Sequence, residues 1–284
     1  MSHVYRAVGW NRQKRIYDSV MAAGLAVYLG TFVVAGLTWN PNLTAETLVI
    51  RALGTAALVL LHLILAIGPL SRLDRRFLPL LYNRRHLGVT MFFLAAGHGL
   101  FAVFQFHALG RLNPFVSVLS GNGSFLRAAG FPFQALGLAA LCILFLMAAT
   151  SHDFWLANLG PSWWKQLHLG VYLAYALILM HVALGALQSE RQPLLAGLLV
   201  TGLVVISGLH LVTGGREAAR DREVREAAIE PLAEGWHDLG PVADFPEAEG
   251  RTFTLGDERV AVFRFNGRVA ALGNVCAHQG GPLG

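Results

Sequence analysis

Residues 1–215 alternate between long uncharged stretches and short charged blocks. A stretch of about 20 apolar residues is long enough to cross a bilayer as a helix. The pattern therefore predicts an α-helical membrane protein with a six-helix transmembrane bundle. The six uncharged stretches are Ser19–Ala45, Ala52–Ser71, Leu87–Gly110, Ala128–His152, Gln166–Ser189 and Gln192–Gly215.

The pattern changes after Gly215. Residues 216–230 are rich in charge and favour a solvated helix. Farther on, the runs Val260–Phe265 and Arg268–Leu272 flank Asn266-Gly267, which is a strong signal for a type I′ β-hairpin. We therefore expect a partial all-β domain at the end of the chain. The predicted segments are a cytoplasmic N-terminal segment at 1–16, the six-helix domain at 17–213, a charged helical linker at 214–231 and the β domain at 232–284.

Composition and charge support a membrane protein. Hydrophobic residues make up 55% of the chain and charged residues 14%, against about 25% charged in an ordinary soluble domain. The net charge of +5 comes from basic residues beside the apolar stretches, which favours anionic lipid over nucleic acid as their partner. Most of these residues fall on one side of the membrane, and the exceptions are Arg51, Arg111, Arg127 and Arg191. By the positive-inside rule, we expect a multi-pass inner-membrane protein with both termini in the cytoplasm.

Histidines inside the apolar stretches are the candidate chemistry. His168 and His181 lie thirteen residues apart on the fifth predicted helix, a rise of about 20 Å that suits two stacked haems. His98 and His62 lie within the third and second stretches. Imidazoles on facing helices of a bundle can hold the iron of a b-type haem. The simpler alternative is that each neutral histidine only hydrogen-bonds a neighbouring helix.

Depth in the membrane indicates how these histidines pair. His98 and His181 fall at the outer level, and we expect them to hold one haem. A thirteen-residue step leaves His168 and His181 about 140° apart around the helix, so the two address different neighbours. We therefore expect His168 to pair with His62 at an inner haem. Alternatives for that inner position are His210, His86 and His152.

Arginines at the cytoplasmic mouth could bind haem propionates, because a guanidinium meets a carboxylate in a bidentate fashion. The candidates are Arg72, Arg84 and Arg85. The alternative interpretation is that they are only positive-inside charges. His107 fits an interfacial histidine, and Cys142 fits a small apolar filler.

Several of these residues also carry a family resemblance. The motifs are Arg84-Arg85-His86-Leu87-Gly88-Val89 with His98, Thr150-Ser151, Leu159-Gly160, and Leu167-His168 with Val171-Tyr172-Leu173 and His181. Over roughly residues 15–213 the chain resembles the ferric reductase-like transmembrane domain, including the haem-binding membrane subunits of periplasmic methionine sulfoxide reductase systems. The resemblance implies b-type haem at His98, His168 and His181, and electron transfer from the cytoplasmic to the outer face. His62 departs from it, since an aliphatic residue is expected there, so ligation by His62 is a separate hypothesis.

The end of the chain carries a second resemblance. Cys276-Ala277-His278 followed by Gly280-Gly281-Pro282-Leu283 resembles the first cluster-binding loop of Rieske proteins. In that family each of two loops supplies one thiolate and one imidazole to a [2Fe–2S] cluster, so Cys276 and His278 are the implied ligands. The second loop, Cys-x-x-His, does not follow. We therefore expect a truncated Rieske-type domain, with an intact cluster in the full-length protein only.

Together these features predict a membrane electron-transfer oxidoreductase. A cytoplasmic Rieske centre would accept electrons from a soluble reductase or ferredoxin and pass them through the haems to a periplasmic acceptor protein or quinone. A GxGxxG motif for a flavin or nicotinamide is missing from the sequence, so a separate donor is implied. Two alternatives stay open: a haem-free scaffold or transporter with a Rieske-like module, and flow in the reverse direction fed by quinol.

Overall fold

The computed structural model of the chain describes residues 10–40, 42–120, 123, 128, 130–190, 193–226, 235–247, 249–256, 258–274 and 283. Helices dominate the first part of this range. They are α1 (Arg12–Trp39), α2 (Ala45–Leu73), α3 (Leu78–Leu81), α4 (Arg84–Val103), α5 (Pro114–Ser120), α6 (Phe133–Ala149), α7 (Asp153–Leu184), α8 (Ala186–Glu190) and α9 (Pro193–Glu226). A π-helical turn at Phe104–Ala108 continues α4.

Five helices in the described part of the chain are long and apolar enough to span a membrane. They are Arg12–Trp39, Ala45–Leu73, Arg84–Ala108, Ser162–Gln188 and Pro193–Arg220. The fourth predicted span is different, because α6 has only 17 residues and a full crossing takes about 20. It counts as a sixth candidate only when joined to Asp153–Gly160, which is bent from α6 by 91°. The described residues thus give five to six spans where the sequence pattern predicts six.

Local chemistry explains where these helices begin and break. Asn11 caps α1 by accepting a hydrogen bond from the backbone N–H of Lys14, at 2.9 Å. His152 caps α7 in the same way, with Nδ1 3.0 Å from the N–H of Phe154. The predicted fifth helix starts near Gln166, whereas α7 starts earlier and is interrupted at Gly160, whose φ of 75° only glycine adopts readily.

The bundle is packed around α2. Leu61 of α2 is 1% exposed and Ala174 of α7 is fully buried. Both belong to one apolar cluster that also takes in Met91 of α4, Leu144 of α6 and Ile206 of α9. Residues from five helices therefore share one interior, and this interior also holds the polar side chains described below.

The chain divides into two compact units, residues 1–158 with 166–210 and residues 159–165 with 211–284. The predicted linker is not a separate element at its start, since α9 continues as a single helix to Glu226. Its hydrophobic part passes directly into the charged part, and the helix continues through Gly214 and Gly215 at the junction. Residues 227–231 of the predicted linker lie outside the described residues.

The second unit contains a three-stranded antiparallel sheet in the order β1 (Gly250–Leu255), β2 (Glu258–Phe265) and β3 (Arg268–Gly273). The predicted hairpin is confirmed, since Phe265 pairs with Arg268 across a two-residue turn. Asn266 and Gly267 have φ values of 51° and 71°, as a type I′ turn requires at both positions.

Asn274 follows β3 and is hydrogen-bonded to Leu283. Its side-chain oxygen and its carbonyl accept hydrogen bonds from the N–H of Leu283, at 2.9 and 3.1 Å. Asn274 is only 4% exposed. The two predicted cluster ligands, Cys276 and His278, fall between these residues in the sequence and lie outside the described residues.

Candidate metal centre

His98 on α4 is held by α2. Its Nδ1 lies 2.8 Å from the carbonyl oxygen of Ile50. A carbonyl can only accept, so Nδ1 carries the proton and Nε2 keeps its lone pair. The imidazole also rests against Gly54, where a Cβ atom would come within 2.7 Å of Nδ1. Helix α2 therefore fixes both the tautomer and the position of this ring.

His181 on α7 is held in the same manner by α6. Its Nδ1 lies 2.8 Å from the carbonyl oxygen of Phe133, which again leaves Nε2 unprotonated. A Cβ atom at Gly137 would come within 2.7 Å of Nδ1. The ring of Phe133 packs beside the imidazole, with centroids 5.4 Å apart.

The two rings meet inside the bundle, with centroids 6.2 Å apart and planes 87° apart. A metal–imidazole bond is about 2 Å long and the ring centroid lies about 1.1 Å behind the nitrogen, so two imidazoles on opposite sides of one metal ion have centroids about 6.2 Å apart. Perpendicular planes are compatible with this, since each ring can turn about its own metal–nitrogen bond. The arrangement can supply two neutral nitrogen ligands from opposite sides.

His62, the expected inner partner, is turned towards other residues. Its Nε2 lies 3.1 Å from the hydroxyl of Tyr175, and the two rings meet edge to face with centroids 5.4 Å apart. The same nitrogen points at α9, where a Cβ atom at Gly202 would overlap the imidazole. In His98 and His181 it is Nδ1 that faces the glycine, whereas in His62 it is Nε2.

His168 lies half-buried on α7, thirteen residues before His181.

The alternative inner candidates each have another partner. The structure pairs His86 with Asp18 at 2.9 Å, His210 with Tyr172 at 3.0 Å, and His152 with the N–H of Phe154. His107 is buried, and its Nδ1 lies 2.8 Å from the hydroxyl of Ser117.

The arginines at this end of the bundle differ from one another. Arg85 forms a salt bridge with Asp153 through Nη1, so its guanidinium already has a carboxylate partner. Arg84 has an exposed side chain and lies close enough to Arg72, Tyr17 and Tyr172 to interact with them electrostatically. Two neighbouring guanidinium groups favour an anion between them.

Within the described residues, no group of three or more His, Cys, Asp or Glu side chains gathers around one point. Cys142 is exposed on α6, where it lines an apolar groove with Phe92 and Phe145. This agrees with its predicted role as an apolar residue. The placement of Cys276 and His278 is not described, so the structure adds nothing to their predicted role.

Sequence reasoning missed the residues behind the two histidines, although the sequence contains a signal for them. Ala52-Leu53-Gly54-Thr55-Ala56-Ala57-Leu58 recurs as Ala135-Leu136-Gly137-Leu138-Ala139-Ala140-Leu141. The shift is 83 positions, from 54 to 137, and the same shift takes Ile50 to Phe133 and His98 to His181. Each histidine bonds a carbonyl 48 positions before it. The chain therefore builds each half of the site in the same way, one half from α2 with α4 and the other from α6 with α7.

Comparison with known proteins agrees with this architecture. Residues 53–179 match the family described as ferric reductase like transmembrane component, and residues 235–284 match the Rieske [2Fe-2S] domain. The heme-binding subunit MsrQ of protein-methionine-sulfoxide reductase from Bordetella pertussis is 34% identical over 220 residues, which cover 75% of this chain and 92% of that protein. MsrQ from Agrobacterium fabrum is 31% identical over 197 residues, 68% of this chain and 82% of the relative. The magnetosome protein MamZ of Magnetospirillum gryphiswaldense is 30% identical over 167 residues, 58% of this chain but 24% of MamZ.

The helical bundle with its paired histidines thus belongs to the ferric reductase-like membrane proteins, here joined to a Rieske domain. Within that class, the chain belongs to the family of MsrQ heme-binding subunits. Both resemblances stated from the motifs are confirmed. Family and domain content indicate electron transfer in a membrane, and the Rieske domain implies a [2Fe–2S] cluster.

Proposed function

We propose that the chain is a transmembrane electron conduit in which His98 and His181 hold the iron of a b-type haem. The observation that carries the proposal is the separation of 6.2 Å between their ring centroids. A b-type haem takes iron ligands from the protein, and the two facing imidazoles of His98 and His181 would supply them.

The surroundings of the two histidines support this role. Each donates its Nδ1 proton to a backbone carbonyl, which fixes the tautomer and raises the basicity of Nε2 as a ligand. Gly54 and Gly137 leave room for the rings beside the helices. The haem would supply one-electron chemistry, and the protein's part is to orient the ligands and exclude water.

We further propose a second haem at His168, thirteen residues before His181 on the same helix. Arg84 beside Arg72 would neutralise its propionates, whereas Arg85 is paired with Asp153. Nε2 of His62 is hydrogen-bonded to the hydroxyl of Tyr175, and we propose that His62 keeps this partner and that another group is the second iron ligand at this level.

Electrons would enter at a Rieske centre that includes Cys276 and His278 and leave at the His98 and His181 haem. This direction follows the proposed topology, with both termini in the cytoplasm of an inner membrane. A soluble reductase or ferredoxin would be the donor, and a periplasmic protein or a quinone the acceptor. The MsrQ relatives are named as heme-binding subunits of a reductase, which supports a role as one component of a larger redox system.

An optical and analytical count of haem tests the proposal. The detergent-purified protein should give sharp reduced bands of six-coordinate haem, and a pyridine haemochrome assay should give two haems b per chain. His98→Leu and His181→Leu should each remove one haem, whereas His107→Gln, which keeps a polar partner for Ser117, should remove none. A folded wild-type protein without haem would instead favour a membrane scaffold with a Rieske-like module.

A further inference from the structure

The internal repeat also relates two aromatic contacts between helices. A shift of 83 positions takes His62 to Phe145 and Phe92 to Tyr175. The structure brings both pairs together: His62 meets Tyr175 with ring centroids 5.4 Å apart, and Phe92 meets Phe145 with centroids 5.9 Å apart. One aromatic contact between helices is thus built twice, once from a hydrogen-bonded pair and once from two phenylalanines.

The phenylalanine pair shows what packing alone requires at this place. Two apolar rings fill the contact between α4 and α6 without a hydrogen bond. The contact between α2 and α7 instead includes a hydroxyl and an imidazole, and Tyr175 is only 7% exposed. Burying polar groups is unfavourable unless they are hydrogen-bonded. The polar pair therefore adds a chemical property that the fold itself does not need.

The pair lies between the two levels of candidate haem ligands. Tyr175 follows His168 by seven residues and precedes His181 by six, which are rises of about 10 and 9 Å along α7. Seven residues turn a helix by nearly two full turns, so Tyr175 and His168 lie on the same face, within about 20°. The hydroxyl and imidazole thus lie between the two levels, on the face of α7 that carries His168.

We propose that His62 and Tyr175 form a tuning pair that lowers the reduction potential of the haem at His168. This inference rests on the proposed function, because it needs a haem at that level. Oxidised haem carries one positive charge more than reduced haem, so polar groups nearby would favour the oxidised form and an apolar lining would favour the reduced form. The pair therefore makes the two ends of the conduit unequal, although the bundle around them is built as a repeat.

The test is a potentiometric titration of the detergent-purified protein with substitutions that copy the other half of the repeat. Tyr175→Phe, His62→Phe and the double variant convert the pair towards the Phe92 and Phe145 arrangement, so they preserve aromatic packing. The matched control is Tyr28→Phe, which removes the same hydroxyl from α1, a helix without candidate haem ligands, where the ring packs against Phe32 with centroids 6.2 Å apart. Haem content and thermal unfolding are measured on every variant.

The three variants at the pair should keep two haems and shift one midpoint potential to a more positive value, and the control should shift neither. Unchanged potentials in variants that keep both haems would overturn the proposal and leave a packing role. Loss of one haem in His62→Phe alone would overturn it in favour of ligation by His62. A wild-type protein without a haem at the His168 level would instead refute the proposed function, and the haem count shows this before any variant is made.

Discussion

His98 and His181 face each other across the bundle, and each is positioned by a backbone carbonyl and a glycine of the helix behind it. The carbonyl bonds Nδ1 and so leaves Nε2 for a metal. The glycine lets the imidazole approach the helix backbone, which a larger residue would prevent. The histidine pair thus depends on four helices: α4 and α7 carry the rings, and α2 and α6 set their positions.

This arrangement predicts a loss of haem when the glycines are enlarged. In Gly54→Ala and Gly137→Ala, the new methyl group would lie 2.7 Å from Nδ1 of His98 or His181. The ring must then shift, which costs about 1–3 kcal/mol as overpacking and moves Nε2 away from the iron. We expect at least a twofold lower ratio of haem to protein and earlier thermal unfolding.

Gly88→Ala is the matched control, because a Cβ atom at Gly88 meets nothing within 4 Å. Alanine favours helix over glycine, so this variant should bind haem as the wild type does and unfold no earlier. Full haem content in Gly54→Ala and Gly137→Ala would contradict the role assigned to the two glycines.

Substitutions of His168 and of His62 should have different effects on the number of haems bound. His168→Leu should reduce the count from two haems to one and leave the spectrum of the His98 and His181 haem unchanged, since the two levels are about 20 Å apart. His62→Leu should keep both haems, because its Nε2 bonds Tyr175. A pyridine haemochrome assay on both variants decides the matter. If His62→Leu also loses one haem, the pairing inferred from helix geometry is right and the orientation seen here does not persist with haem bound.

The contrast between these histidines shows what the sequence could and could not predict. Uncharged stretches and depth along each helix were enough to bring His98 and His181 together in one pair. The same reasoning pairs His168 with His62, and this pairing stays a prediction, because counting residues gives depth but not the direction of a side chain. That direction depends on the neighbour, and for His62 the neighbours are Tyr175 and Gly202.

Charged residues at the end of the bundle show the same limit. The sequence treats Arg84 and Arg85 as equivalent cations beside a membrane span. Their side chains lie about 100° apart around α4, so they meet different surroundings, and only Arg85 reaches Asp153 at the start of α7. Asp153 becomes available because α7 begins thirteen residues before the apolar stretch that predicted it.

The salt bridge between Arg85 and Asp153 should contribute to stability rather than to haem binding. The Arg85 side chain is 16% exposed and that of Asp153 is 40% exposed, so we expect about 1–2 kcal/mol of coupling between them, above the range for fully exposed pairs. Arg85→Met, Asp153→Asn and the double variant form a double-mutant cycle, measured by thermal unfolding in detergent. Haem content should stay at the wild-type level throughout, and a loss of haem confined to Arg85→Met would show that this arginine serves a propionate instead.

The turn between β2 and β3 supports a prediction about the Rieske part. Asn266 and Gly267 both have positive φ values, and an alanine there is strained by about 1 kcal/mol at each position. Gly267→Ala should therefore destabilise the hairpin, which leads through Asn274 towards Cys276. The change is measured as faster amide hydrogen exchange in Glu258–Phe265 and Arg268–Gly273 of the full chain. Asn266→Gly is the control, because glycine adopts this backbone readily, and its exchange should match the wild type. Equal exchange in Gly267→Ala would mean that the paired strands, rather than the turn, determine the stability of this hairpin.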